Sequence, residues 1–232
     1  MPSPAVAILD VNETLSDLTP LGDRFAEVGA SPNLLPTWFA ATLRDGISLA
    51  AAGAYADFQD VARAALRSQL AGVSDLRGQP EEAAEYVLEG VAKLSPHPDV
   101  APGLRRLRER GIRAATLTNS SVATAAGLLE RAGLAELVER NLSVSEVGRW
   151  KPAPETYRYA CATLGVAEQD AVMIAVHPWD VDGAQRAGLR GAWLDRHGHP
   201  WPEVFTAPTV TARSLPELAD AVAGDYPGAL EA

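Results

Sequence analysis

The stretch VAILDVNETLSDL, residues 6–18, decides how the rest of the chain is read. Val6 to Leu9 are four apolar residues in a row, the pattern of a short strand covered on both faces, as in a parallel sheet. The run ends on a carboxylate, Asp10, and the next polar side chains are the amide of Asn12, Glu13 and the hydroxyl of Thr14. In open parallel sheets ligands gather beyond the carboxyl ends of the strands. An acid in that place is therefore a candidate for chemistry, although a turn or a helix cap would use the same residue.

Outward from this strand, residues 17–95 carry helical patterning without a convincing strand. Its three best helices are LPTWFAATLRDGISLAAAG (35–53), YADFQDVARAALRSQLAG (55–72) and PEEAAEYVLEGVAKL (80–94), bounded by Gly or Pro. SPHPDVAPG (95–103) reads as a linker. Strand and helix patterns then alternate through IRAATLTN, SVATAAGLLERAG, LVERNLSV, APETYRYACATLG, AVMIAV, DVDGAQRAG and RGAWLDR. The fold class that follows is α/β: a Rossmann-like parallel sheet flanked by helices, made of residues 1–16 and 96–232, with a helical cap of residues 17–95 inserted after the first strand.

Composition narrows the partners. The 232 residues are 47% hydrophobic and 22% charged, and 20 basic against 30 acidic residues leave a formal net charge of -10. That field repels phosphate backbones and anionic lipid, so neither nucleic acid nor a membrane is expected as a partner. The single cysteine, Cys161, excludes an internal disulfide, and no signal-like or long uncharged apolar run is present. A cytoplasmic protein acting on a small-molecule substrate is the expectation, with a homodimer left open.

Other polar residues also close apolar runs. Thr118 and Asn119 end IRAATL, His177 and Asp180 follow AVMIAV, and Lys151 lies in GRWKPAPETY where a helix opens. Singly, each has a plain structural explanation as a cap, a turn residue or a solvated lysine. Together DVNETL, LTNSS, WKPAPETY and WDVDGAQRAGL resemble, in order and spacing, the four motifs of the haloacid dehalogenase superfamily of hydrolases. The Trp179-Asp180 pair is most similar to the type II 2-haloacid dehalogenase branch. The resemblance implies that Asp10 is a nucleophile forming an aspartyl ester, that Lys151 holds it ionised, and that Thr14 bonds beside it. It also implies that Asp180 is the acid of the last motif, and that Asn12, Thr118, Asn119, Phe39 and Trp179 face the substrate.

The amide at position 12 selects between reactions. Phosphatases of the superfamily carry a second acid there, because expelling an alkoxide needs a proton donor. Expelling a halide needs none, so Asn12 costs a dehalogenation little. The magnesium site of the phosphatases needs oxygen ligands, whereas the position four before Asp180 is Val176. No metal or other cofactor is expected, magnesium belonging only to the phosphatase alternative. A small-ligand-binding protein with little turnover is the third reading.

The chain also departs from the dehalogenase pattern. Phe39 stands where that branch carries an arginine after the first cap tryptophan, and Arg44, at about 100° per residue, points about 140° away from it. Ala175 and His177 stand where the family has Ser and Asn. His177 is included among the catalytic candidates because an imidazole titrates near neutrality. Trp38, Phe39, Tyr55 and Phe58 also suit a cap core, and Asp182 suits a helix-face or capping acid.

Overall fold

The computed structural model describes residues 3–224. Six strands form one parallel sheet: β1 (Val6–Leu9), β2 (Arg113–Thr118), β3 (Arg140–Ser143), β4 (Ala171–Ala175), β5 (Arg190–Leu194) and β6 (Val210–Ala212), in the order β3-β2-β1-β4-β5-β6. The chain leaves β1 toward β2 and β3, then crosses back to place β4 on the other side of β1. The switch in strand order thus falls at β1, where such sheets bind ligands. Leu9 pairs with Thr116 on one side and Ile174 on the other, so Asp10, the end of β2 and the end of β4 finish side by side.

Alternation along the strands builds two cores. Val6 and Ile8 join Met173 and Ala175 on one face, while Ala7 and Leu9 join Val172 and Ile174 on the other. Four helices, α1 (Leu21–Glu27), α2 (Leu34–Ala51), α3 (Phe58–Leu70) and α4 (Pro80–Glu89), occupy the insertion after β1. Their apolar faces merge with the first core, to which α7 (Pro154–Leu164) and α8 (Pro178–Arg186) also belong. The second core lies under α5 (Val100–Glu109), α6 (Val122–Arg131) and α9 (Leu215–Val222).

The two crossings into the insertion lie together. Asp17 N donates to Ser95 O at 2.9 Å, His97 N to Leu15 O at 2.9 Å, and Ser16 bridges Pro96 in antiparallel sense. Away from this neck the insertion is clamped at Trp150. Its indole donates to Ala56 O at 2.9 Å, stacks on Phe58, and fills the space beside Gly46, where an added Cβ would lie 2.3 Å from the ring.

Four elements differ from the sequence reading. The expected linker 95–103 already contains the first turn of α5, because Pro102 lies where a backbone N–H has no helical partner to lose. Gly103 then admits Leu215 of α9, whose Cγ would be 2.4 Å from an added Cβ. The seven-residue α1 and the β6–α9 pair at the sheet edge had not been read as elements, and both are short.

Candidate active site

Beyond the carboxyl ends of β1, β2 and β4, the Lys151 ammonium is fully buried and uses all three donors. It donates to Asp10 Oδ1 at 2.8 Å, to Asp180 Oδ2 at 2.7 Å and to Leu117 O at 2.9 Å. The remaining oxygens are also held. Thr14 Oγ1 donates to Asp10 Oδ2 at 2.6 Å and itself accepts from Val176 N at 3.1 Å, and Tyr157 Oη donates to Asp180 Oδ1 at 2.6 Å. Asn119 fixes the backbone of the lysine, its Oδ1 accepting from Lys151 N at 2.9 Å. A buried charge without partners would neutralise or disrupt the fold; here each charge has them.

The environments push the two carboxylates apart. Burial works against ionised Asp10, yet Lys151, His177 and Thr14 together hold its carboxyl below the ordinary value. Burial and the neighbouring charge of Asp10 hold Asp180 above it, despite Lys151 and Tyr157. Burial also opposes the Lys151 charge, but the two carboxylates outweigh it and raise its value. A pair split in this way leaves one carboxylate held ionised and the other readier to take up a proton.

The other side of Asp10 is aromatic. His177 is sandwiched between Phe39 of α2, 6.1 Å between ring centroids, and Trp179 of α8, 5.2 Å away, with interplanar angles of 29° and 17°. Its Nε2 donates to Asn12 O at 3.3 Å and lies 3.6 Å from Glu13 Oε2 and 3.8 Å from Asp10 Oδ2. Glu13 takes a left-handed backbone (φ 62°), uncommon outside glycine. Arg196 holds this loop from outside, donating to Thr14 O at 2.7 Å while pairing with both oxygens of Asp99 at 2.8 Å.

The expected residues thus fall into one crevice with different degrees of engagement. Asp10, Thr14, Lys151, Asp180 and Asn119 form one hydrogen-bonded cluster, and His177, Phe39 and Trp179 form the stack beside it. Asn12 is largely buried, and its backbone carbonyl lies 3.3 Å from His177 Nε2. Thr118 is fully buried and its Oγ1 accepts from Ser120 N at 3.0 Å, which ties the turn after β2. Arg44 is exposed and pairs with its neighbour Asp45. Asp182 bonds Arg186 and the backbone of Thr206, a structural task. Tyr157, Glu13 and Arg196 were not singled out from the sequence; Tyr157 sits inside the quoted WKPAPETY, and only its partner was invisible. A cavity of about 400 Å³ lies between the insertion and the ends of β2 and β3, with Asn119 and Ser120 in its lining.

The family profile described as haloacid dehalogenase-like hydrolase matches residues 5–188. The chain belongs to that family. Among relatives of this hydrolase, (S)-2-haloacid dehalogenase 4A of Burkholderia cepacia is 29% identical over 216 residues, 91% of each chain. Haloacetate dehalogenase H-2 of Moraxella sp. (strain B) is 29% identical over 143 residues, 62% of this chain and 64% of that enzyme, so the alignment spans just under two thirds of its length. A crystal structure of a dehalogenase with an intermediate complex superposes with a TM-score of 0.88 at 26% identity, covering 96% of this chain and 99% of that one.

Magnesium, used elsewhere in the superfamily, would meet a crowded donor set here. The Lys151 ammonium already bridges the two carboxylates a cation would need, and Asp182 is committed to Arg186 and Thr206. Among the described residues no cluster of three or more His, Cys, Asp or Glu is arranged to take a metal ion, and no helix is long and apolar enough to cross a membrane.

Proposed function

We infer that this hydrolase cleaves the carbon–halogen bond of a short 2-haloacid, and the names of its relatives favour the (S) enantiomer. The observation that carries the reading is the Lys151 ammonium between Asp10 and Asp180, beside an amide at position 12. Such a site holds an ionised nucleophile and offers no acid at position 12, which fits a leaving group that needs no proton.

Asp10 Oδ2 attacks the carbon bearing the halogen; the carbon–halogen bond breaks, the halide departs with its electron pair, and an Asp10 ester remains. Oδ2 is the better nucleophile of the two oxygens, since Oδ1 is bound by the ammonium and Oδ2 by a neutral hydroxyl. Oδ1 is then the ester carbonyl oxygen, and Lys151 Nζ, 2.8 Å away, is placed to stabilise the negative charge that develops there when water attacks Cγ. Asp180 is the acceptor for the proton of that water. The products are a 2-hydroxy acid and regenerated Asp10.

Residues 17–95 serve as the cap of this site, hinged at the paired crossings near Ser16 and Pro96 and contributing Phe39. No cofactor enters these steps. The test is halide release from (S)-2-chloropropionate, measured beside p-nitrophenyl phosphate hydrolysis, each with excess EDTA and with added magnesium. Halide release within a factor of about two with and without chelator is the expected outcome. Phosphate release that EDTA abolishes and magnesium restores would replace this reading with the phosphatase, and no turnover of either would favour the ligand-binding alternative.

A further inference from the structure

The amide at Asn12 solves only half of the reaction. Halide leaves unprotonated, but the second half-reaction expels an alkoxide from the Asp10 ester, and that oxygen needs a proton. We propose that His177 supplies it, as the acid that protonates Oδ2 when the product leaves. The assignment rests on the dehalogenation reading above.

The oxygen that must be protonated is the attacking one, and few donors face Oδ2. The three donors of Lys151 point to Oδ1, Asp180 and Leu117 O, and Tyr157 donates to Asp180. Thr14 reaches Oδ2, yet an alcohol is a poor acid. His177 Nε2 lies 3.8 Å from Oδ2, and its hydrogen is placed by its other neighbours: Asn12 O at 3.3 Å can only accept, and Glu13 Oε2 lies at 3.6 Å. A ring nitrogen surrounded by three oxygens carries its proton toward them, and when the ring is charged it is the ion-pair partner of Asp10 and Glu13. Stacking against Phe39 and Trp179 keeps Nε2 beside Oδ2 at 3.8 Å; its hydrogen goes to Asn12 O at 3.3 Å, and protonating Oδ2 takes a small shift of the ring or of the ester oxygen.

The step balances. Water adds its oxygen to Cγ and gives one proton to Asp180; the Cγ–Oδ2 bond breaks as the Nε2 proton of His177, present as the imidazolium, moves to Oδ2, now the hydroxyl oxygen of the product, and leaves the ring neutral. The new Asp10 carboxyl and Asp180 then release two protons, one returning to His177 and one leaving to solvent with the halide as counter-ion.

The experiment is rapid quench with excess (S)-2-chloropropionate on wild type, His177→Gln and, in case the longer side chain disturbs folding, His177→Asn, with folding checked by near-ultraviolet circular dichroism. Glutamine and asparagine keep an N–H but are not acids. Each folded variant should give a burst of one halide per site at near the wild-type rate, then turn over about 10²-fold or more slowly. The ester should accumulate on the tryptic peptide ending at Arg24, whereas wild type accumulates little. Two results overturn the assignment: turnover within about threefold of wild type, or slow halide release without burst or adduct, which would place His177 in the first half-reaction. A wild type that releases no halide would instead defeat the dehalogenation reading, and this proposal with it.

Discussion

On the Lys151 side of Asp10 every charged atom has a partner within 3 Å, drawn from β1, the end of β2, the loop before α7, α7 itself and α8. On the His177 side the nearest carboxylate oxygens to Nε2 are 3.6 and 3.8 Å away, and the imidazole is held by ring faces. The charged half is assembled before any substrate arrives, which is what preorganised stabilisation of developing charge requires. The aromatic half is held by contacts that tolerate exchange, and it holds two of the residues at which this chain departs from the dehalogenase pattern, Phe39 and His177. On the proposed reading the charged half readies Asp10, and selectivity and proton delivery belong to the other.

Three substitutions probe that contrast. Lys151→Met should have the largest effect, because it leaves two carboxylates buried without their cation. Breaking such a cluster costs about 3–5 kcal/mol, read from urea unfolding, and loss of the donor to Oδ1 should lower halide turnover at least about 10²–10³-fold. Stability and turnover both near wild type would mean that the charged half is not what holds Asp10 ready. Tyr157→Phe keeps the ring and removes one bond to an ionised group, so about 1.5–3 kcal/mol of stability should go. A loss below about 0.5 kcal/mol would show that Asp180 is already satisfied by Lys151. Arg44→Ala should do least, within about 0.5 kcal/mol and without change in halide release, because its pair with Asp45 is solvent-exposed. A tenfold fall in activity would place substrate on a face of α2 that the contrast leaves unused.

Strand ends were the legible part of this site. Asp10, Thr118, Asn119 and His177 each close an apolar run, and a parallel sheet brings such ends together whatever the rest of the chain does. Lys151 and Asp180 needed the motif order as well, because a lysine in a loop looks solvated until the tertiary fold buries it. Tyr157 was illegible for the opposite reason: on α7 it continues the buried face with Ala160, Cys161 and Leu164, so its ring reads as core and only the approach of α8 gives its hydroxyl a purpose. The stack of Phe39 on His177 joins α2 to the start of α8, a pairing that no local pattern encodes. Pro102 and Gly103 misled for a local reason, since both interrupt most helices but are tolerated in a first turn and against a close neighbour.

Whether Asp10 is a covalent nucleophile is decided by the isotopic origin of the product oxygen. A single turnover of (S)-2-chloropropionate with excess enzyme in ¹⁸O-water should give product that is largely unlabelled and should leave the heavy oxygen on Asp10, in the peptide ending at Arg24. Repeated turnovers should then carry label into product, and Asp10→Asn should release no halide while remaining folded. Heavy oxygen in the product of the first turnover, with none in the Asp10 peptide, would contradict the account, because water would then be attacking the substrate directly.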